Sequence, residues 1–373
     1  MSTALPIAAV TGGTGFLGRY VVRELAAAGW RPRLLVRGDP VHPQLADVDF
    51  EIVPGDLSEP QSLRRLVKGA SAVVHVAGAV KALRRADFFA VNADGTARLA
   101  ETTAEAAPGA RLVYVSSLAA RAPELSDYAA SKAEGERALA EYGPGDWVTV
   151  RPAAVYGPWD REILRLFRAA TGAFLAVPAA PKARICMVHA ADVAAAVAAL
   201  ARAGPARRHF EVTDARVDGY DWSTIAAEAR HAVGGNARVL SVPPAAVRAM
   251  GAAVGAVAQL RRRPSILTPG KARELMHDDW SSAPEQQPPP GVWRPCVGLR
   301  TGFEETARWY ARNGDLPPLP DGPELRKGRS RYQCGKSQID AGHGKAGMVM
   351  TPEKSSWRSK TTGSYNEQKF YDF

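Results

Sequence analysis

Val10-Thr11-Gly12-Gly13-Thr14-Gly15-Phe16-Leu17-Gly18 decides how the rest of the chain is read. The apolar run Ile7 to Val10 in front of it has the character of a buried strand, and Tyr20 to Leu25 behind it has the apolar spacing of a helix packed on a sheet. The glycines between them have separate uses. Gly12 lets the chain leave the strand through a turn closed to most side chains, Gly15 lets backbone N–H groups approach a pyrophosphate, and Gly18 lets the helix pack close to the strand. Unpaired N–H groups at the helix N-terminus then face the phosphates, with Thr14, Phe16 and Leu17 in the same cradle. The register Gly13-Gly15-Gly18 fits the pattern as well, and an ordinary glycine-rich turn is the plain alternative.

Working outward, Arg33 to Val36 reads as a second strand ending at Arg37. In a dinucleotide-binding fold a carboxylate there holds the 2′-hydroxyl of NAD, whereas arginine pairs with the 2′-phosphate of NADP. Arg37 favours NADP, with NAD as the alternative; Asp39 sits in a turn beyond the strand. Phe50 to Val53 reads as a third strand that brings Asp56 and Leu57 toward the adenine, although capping of the helix that begins near Glu59 accounts better for Asp56. Ala72 to Gly78 is an apolar run ending in small residues, so Ala77 and Gly78 leave room for a ligand across the sheet; His75, between valines, reads as a satisfied core histidine. Phe88 to Ala104 has helical spacing and carries Asn92. Arg111 to Val115 is a strand ending in Ser116-Ser117, and Tyr128 and Lys132, four apart on the next helix, project from one face.

The chain has 373 residues and is 46% hydrophobic, enough for two domains or one large domain with an appendage. Cys186, Cys296 and Cys334 are far apart and show neither a disulfide framework nor metal-ligand spacing, so no metal is expected and a reducing cytoplasm fits. No leader is visible and no apolar run reaches the ~18–20 residues that cross a bilayer. Pro244 to Leu260 comes nearest; it reads as a core or substrate-lobe helix, with membrane-surface contact as the minor alternative. Of the net charge of +10, +6 falls in residues 325–373, ten Lys and Arg against four Asp and Glu, so the excess belongs to a solvated tail and specific nucleic-acid binding is not expected.

In order and spacing these motifs resemble the extended branch of the short-chain dehydrogenase/reductase superfamily, the NAD-dependent epimerase/dehydratase family. The nearest likeness is to its 3-beta-hydroxysteroid dehydrogenase and dihydroflavonol reductase-like members. The resemblance runs over most of residues 5–315 and rests on Thr11-Gly12-x-x-Gly15-x-x-Gly18, Asp56-Leu57, His75-Val76-Ala77-Gly78, Val91-Asn92, Ser116-Ser117, Tyr128-x-x-x-Lys132 and Arg151 to Pro158. It implies a Rossmann-type doubly wound parallel α/β sheet over residues 1–155, re-entered at about 185–216, a smaller substrate lobe from 156–184 and 217–320, and a disordered basic tail, 321–373. It implies a hydride transfer in which Tyr128 exchanges the proton, Ser117 binds the reacting oxygen, and Lys132 tunes the phenol downward and holds the cofactor ribose. Ala77, Gly78, Pro152 and Val155 would border the nicotinamide.

Two departures narrow the reaction. Leu118-Ala119 follows Ser117 where the sugar-nucleotide dehydratases carry Asp-Glu, and the eleven positions from Ser117 to Tyr128 are roughly half the interval of many sugar-nucleotide epimerases. The expectation is an NADP-dependent oxidoreductase acting on a carbonyl or secondary alcohol of a small molecule, compatible with a homodimer. An NAD-retaining sugar-nucleotide epimerase and a non-catalytic nucleotide-binding assembly protein are the alternatives.

Overall fold

The computed structural model describes residues 4–265 and 267–319; the expected tail, 321–373, lies outside the described residues. The elements run β1 (Ile7–Thr11), α1 (Phe16–Ala27), β2 (Arg31–Val36), β3 (Glu51–Pro54), α2 (Pro60–Val67), β4 (Ala72–His75), α3 (Arg85–Phe89), α4 (Gly95–Ala106), β5 (Arg111–Val115), α5 (Asp127–Tyr142) and β6 (Trp147–Pro152). They continue through β7 (Ala154–Tyr156), α6 (Arg161–Thr171), β8 (Phe174–Pro178), β9 (Arg184–Ile185), β10 (Met187–His189), α7 (Ala190–Arg202), β11 (Arg208–Val212) and α8 (Trp222–Val233). Last come β12 (Arg238–Val242), α9 (Pro244–Leu260), α10 (Pro269–Met276), β13 (Asp279–Trp280) and α11 (Leu299–Arg312).

Seven of these strands form one parallel sheet in the order β11-β6-β5-β4-β1-β2-β3. The strands are apolar on both sides because both sides are covered. Ala8, Val10, Val74, Val113 and Val115 pack with α1 and α7, while Ala9, Val73, Leu112 and Tyr114 pack with α2, α4 and α5. At ~1.5–3 kcal/mol for each fully buried Val or Leu, these two layers are the main reason the sheet is stable. Strand order changes direction at β1, so the crevice beyond the carboxyl ends of β1 and β4, where Thr11 lies level with His75, is where such sheets accept ligands.

The helix expected from Phe88 to Ala104 is interrupted: α3 and α4 are joined by a π turn over Ala90–Asp94. Close packing accounts for the bulge. A Cβ on Gly135 of α5 would overlap the Asn92 carbonyl oxygen, and Tyr114 Oη and Thr96 Oγ1 donate to that same carbonyl at 3.4 and 2.7 Å. The turn re-aims Asn92 toward the sheet edge.

A second core, with Tyr156, Leu164, Phe167, Ile225, Phe303 and Tyr310 among its buried residues, is built from α6, α8 and α11. Short parallel pairs β7–β10, β8–β12 and β9–β13 accompany it. Helix α9 departs from the core reading: only Val247 and Gly251 of it are buried. No helix among the described residues is long and apolar enough to cross a membrane.

Candidate active site

The glycine turn is set by how close the backbone comes. Gly12 has φ +70°, and a Cβ there would lie 2.6 Å from Ala77 Cα; a Cβ on Gly18 would overlap the Gly12 carbonyl oxygen. The working register is therefore Gly12-Gly15-Gly18, since Gly13 faces only the movable side chains of Leu34 and Val22, at 3.1 Å. Helix α1 begins with Gly15 as N-cap, has no side-chain cap and no acid in its first turn, and leaves Thr14 and Gly15 exposed, with Phe16 and Leu17 half-buried. Open N–H groups at an uncapped helix start, with space no side chain can fill, fit a dinucleotide pyrophosphate. Arg19, not singled out in the sequence, is buried behind the loop and donates to the Thr14 carbonyl at 2.6 Å and to Gln44 at 2.7 Å.

Arg37 is exposed at the end of β2 and borders a shallow hollow of about 310 Å³ that Asp39, Ile52 and Pro54 also line. Asp56 does not cap α2, whose N-cap is Glu59. Its carboxylate instead accepts from the Ser58 N–H at 2.7 Å and hydroxyl at 2.5 Å, closing the turn before the helix. Those two bonds, with Arg37 and Arg98 adding, hold the carboxyl below its usual range. The Leu57 side chain packs at the start of α4, and its carbonyl accepts from Arg98 at 2.8 Å.

Ser117, Tyr128 and Lys132 come together at the carboxyl edge of β5. Ser117 lies two residues beyond the strand with extended backbone and its oxygen accepts from the Ala119 N–H at 3.2 Å, which leaves the hydroxyl proton to donate. That hydroxyl bonds the Tyr128 phenol and favours its ionised form, but burial outweighs it and pushes the phenol up to about 12, with the Glu274 carboxylate adding to the rise. Lys132, one turn on, donates to the Val115 carbonyl at 2.9 Å and lies 4.9 Å above the Tyr114 ring. Burial pulls it down to about 8, against an upward pull from Glu136.

The loop after β4 joins cradle and trio. Ala77 packs on Gly12, and a Cβ on the exposed Gly78 would stand 3.0 Å from Lys132 Nζ and 3.1 Å from Asn92 Oδ1. Asn92 clamps that loop, accepting from Ala79 N at 2.8 Å and donating to Ala79 O at 3.0 Å and Ser131 Oγ at 2.9 Å. His75 is a satisfied core residue, bonded to Thr11 at 2.6 Å and Thr96 at 3.0 Å, and burial lowers it to about 3. Pro152 is buried at the end of β6, and half-buried Val155 lies on β7; beyond them the Pro158 carbonyl accepts from Tyr20 of α1 at 3.0 Å.

Sequence reasoning missed Glu274. It is 6% exposed on α10, paired with Lys271 at 2.9 Å, and accepts from Ser126, the N-cap of α5 just before Tyr128. Beyond β7, Trp159 meets His42 edge-on and Trp309 at a tilt, and Asp160 caps α6. His189 caps α7, and Asp192 pins the backbone of Cys296 and Val297 at 3.0 and 2.9 Å. Among the described residues no group of His, Cys, Asp and Glu has metal-holding geometry.

A doubly wound parallel sheet with a glycine cradle at its switch point defines a dinucleotide-dependent oxidoreductase of the extended short-chain dehydrogenase/reductase type, and the comparisons agree. The chain belongs to the NAD dependent epimerase/dehydratase family, whose sequence profile matches residues 8–213. It is 46% identical over 313 residues to a ceramide reductase of Caulobacter vibrioides, covering 83% of this chain and 96% of that protein. A putative dihydroflavonol 4-reductase of Synechocystis is 33% identical over 172 residues, 40% of this chain and 50% of the relative. The UDP-glucose 4-epimerase of Thermus thermophilus, solved with NAD, superposes with a TM-score of 0.59 at 23% identity, over 82% of this chain and 98% of that one; this likeness concerns the fold alone.

Proposed function

We propose that the protein is an NADP-dependent reductase of a lipid ketone, acting on a ceramide-class substrate, with Ser117, Tyr128 and Lys132 as its catalytic residues. The observation that carries this reading is the hydrogen bond between Ser117 and Tyr128 with Lys132 one turn further along the same helix, its Nζ beside Gly78, in a chain that aligns with nearly the whole of a ceramide reductase. The dinucleotide would supply the hydride to the carbonyl carbon, and Gly12, Gly15, Gly18 and the start of α1 would hold its pyrophosphate. Arg37, exposed at the end of β2, is suited to a 2′-phosphate and supports NADP over NAD.

The electrostatics support the reductive direction. A phenol at about 12 stays protonated at neutral pH, yet it is more acidic than the alcohol formed when a ketone is reduced, so Tyr128 can give its proton to the developing alkoxide. Ser117, which gives its hydroxyl proton to the Tyr128 oxygen in the resting site, would turn it to the substrate oxygen and stabilise the negative charge growing there. Lys132 is positioned to hold ribose hydroxyls, and its charge is present below about pH 8.

The test is NADPH and NADH oxidation followed with a long-chain keto-ceramide, a water-soluble ketone and UDP-glucose. Turnover of the lipid ketone with NADPH is expected, and Tyr128→Phe should lower kcat by roughly 10²–10⁴-fold with cofactor affinity intact. An unchanged kcat in that variant would end the assigned chemistry, and conversion of UDP-glucose with no net cofactor consumption would make the protein an epimerase.

A further inference from the structure

We propose that α9 and the arginines after it dock the protein on an anionic membrane surface, the helix lying in the interface beside the entrance to the active site. This deepens the lipid-ketone reading and rests on it for the purpose of docking, though not for the docking itself. Helix α9, Pro-Ala-Ala-Val-Arg-Ala-Met-Gly-Ala-Ala-Val-Gly-Ala-Val-Ala-Gln-Leu, seats one side on α10: Val247 is buried, and a Cβ on Gly251 would stand 2.9 Å from the Ala272 Cβ. The outward side, Ala246, Met250, Ala253, Val257 and Leu260 at spacings of four and three, is wholly apolar and exposed. Met250 and Val257 are each 47% exposed and Leu260 84%. A stripe this apolar, facing outward along a whole helix, calls for an apolar neighbour.

The charge around the helix selects that neighbour. From Ala229 to Arg273, 45 residues, the chain carries eight Lys and Arg and no Asp or Glu. Arg261, Arg262 and Arg263 follow the helix directly and are exposed. Arg262 has φ +50°, a position where a helix end favours glycine, and the sequence keeps a cation there. A second copy would meet this acid-free segment with its own positive charge, whereas an anionic bilayer offers an apolar layer beneath a negative surface. Seventeen residues span ~25 Å, short of the ~30 Å hydrocarbon core, so the helix lies along the interface.

The placement suits a lipid substrate. Gln259 near the end of α9 donates to the Leu83 carbonyl at 2.5 Å, in the loop that leaves Gly78, and α10 beneath it presents Glu274 to Ser126 beside Tyr128. The helix thus borders both the loop and the helix that flank the trio.

The test is flotation of the full chain with vesicles of phosphatidylcholine alone and with about a third phosphatidylglycerol, at low and high salt. Binding is expected only to the anionic vesicles, weakening with salt. It should fall at least tenfold in Val257→Glu/Leu260→Glu and about 100-fold in Arg261→Glu/Arg262→Glu/Arg263→Glu. Both variants should reduce a water-soluble ketone at the parent rate, which shows that they fold. Undiminished flotation of the helix variant, absence of binding by the parent, or a concentration-dependent dimer that the helix variant dissolves would each overturn the proposal. Flotation through α9 without any reduction of keto-ceramide would overturn the substrate reading and leave the docking standing.

Discussion

Around Gly12 and Gly18 the backbone leaves no room for a single methyl group, whereas along the outer side of α9 Met250, Val257 and Leu260 stand exposed. Both regions are rich in small residues, but for opposite reasons. In the glycine turn, smallness lets two stretches of main chain meet and leaves N–H groups open at a helix start. In α9, glycine and alanine let one side lie flat on α10 while the other remains apolar and bare. Small residues therefore mark close approach, and only the surroundings reveal what approaches.

The sharpest way to break this contrast is to add a methyl group in the glycine turn and to trim a side chain on α9. Gly18→Ala drives a Cβ into the Gly12 carbonyl oxygen and should cost about 3 kcal/mol in urea unfolding, with a collapse of dinucleotide affinity by titration. The reverse trim, Val257→Ala on α9, should stay within about 0.5 kcal/mol. Comparable losses at the two positions would dissolve the distinction.

Lys132 tests the crevice between these regions. Its ammonium is 3% exposed and titrates at about 8 rather than 10.5, so between those values the unfolded chain holds the extra proton. Stability contributed by this group is therefore complete above about 10.5 and lost as pH falls through about 8, the charge-burial penalty being felt in full below that. Lys132→Met should raise stability at pH 7 by about 1–3 kcal/mol and flatten the rise between pH 8 and 10.5, while abolishing turnover. Denaturant titrations at pH 7 and 9.5 read both effects, and a destabilised variant with the slope retained would show that the ammonium is not the strained group.

Arg37 sharpens the cofactor side of the comparison. Arg37→Asp should move the ratio of kcat/KM for NADPH over NADH by about tenfold or more toward NADH. An unchanged ratio would mean that the exposed guanidinium does not read the ribose.

How far these features were legible depends on how locally they are encoded. The cradle is nine consecutive residues, and Tyr128 and Lys132 are four apart on one helix, so sequence spacing alone puts their chemistry in one place. The π turn at Asn92 has no such signature: its causes, Gly135 and Tyr114, lie on other elements that reach the turn only after folding. Glu274 was hidden for the same reason, since α10 meets Ser126 from a distant part of the chain. Asp56 was misread because an Asp before a helix looks the same whether it caps the helix or closes the turn ahead of it. In α9 the apolar run was visible, but composition does not say which side of an apolar helix is covered.

The smallest expected effect separates two demands placed on one carboxylate in the lobe. Asp160 caps α6 through Glu162 N at 2.9 Å and Ile163 N at 3.4 Å, yet burial raises its pKa to about 6 from 3.8. The contribution of such a group is complete below about 3.8 and lost as pH rises through about 6, so at neutral pH the buried charge works against the cap it makes. Asp160→Ala should lose the cap, about 1 kcal/mol at pH 7, whereas Asp160→Asn keeps an accepting oxygen without the charge and should match or exceed the parent above pH 6. Thermal unfolding at pH 5 and 7.5 distinguishes them. If Asp160→Asn is the weaker protein at pH 7.5, the ionised carboxylate is needed at the start of α6 and its burial is not the dominant influence on it.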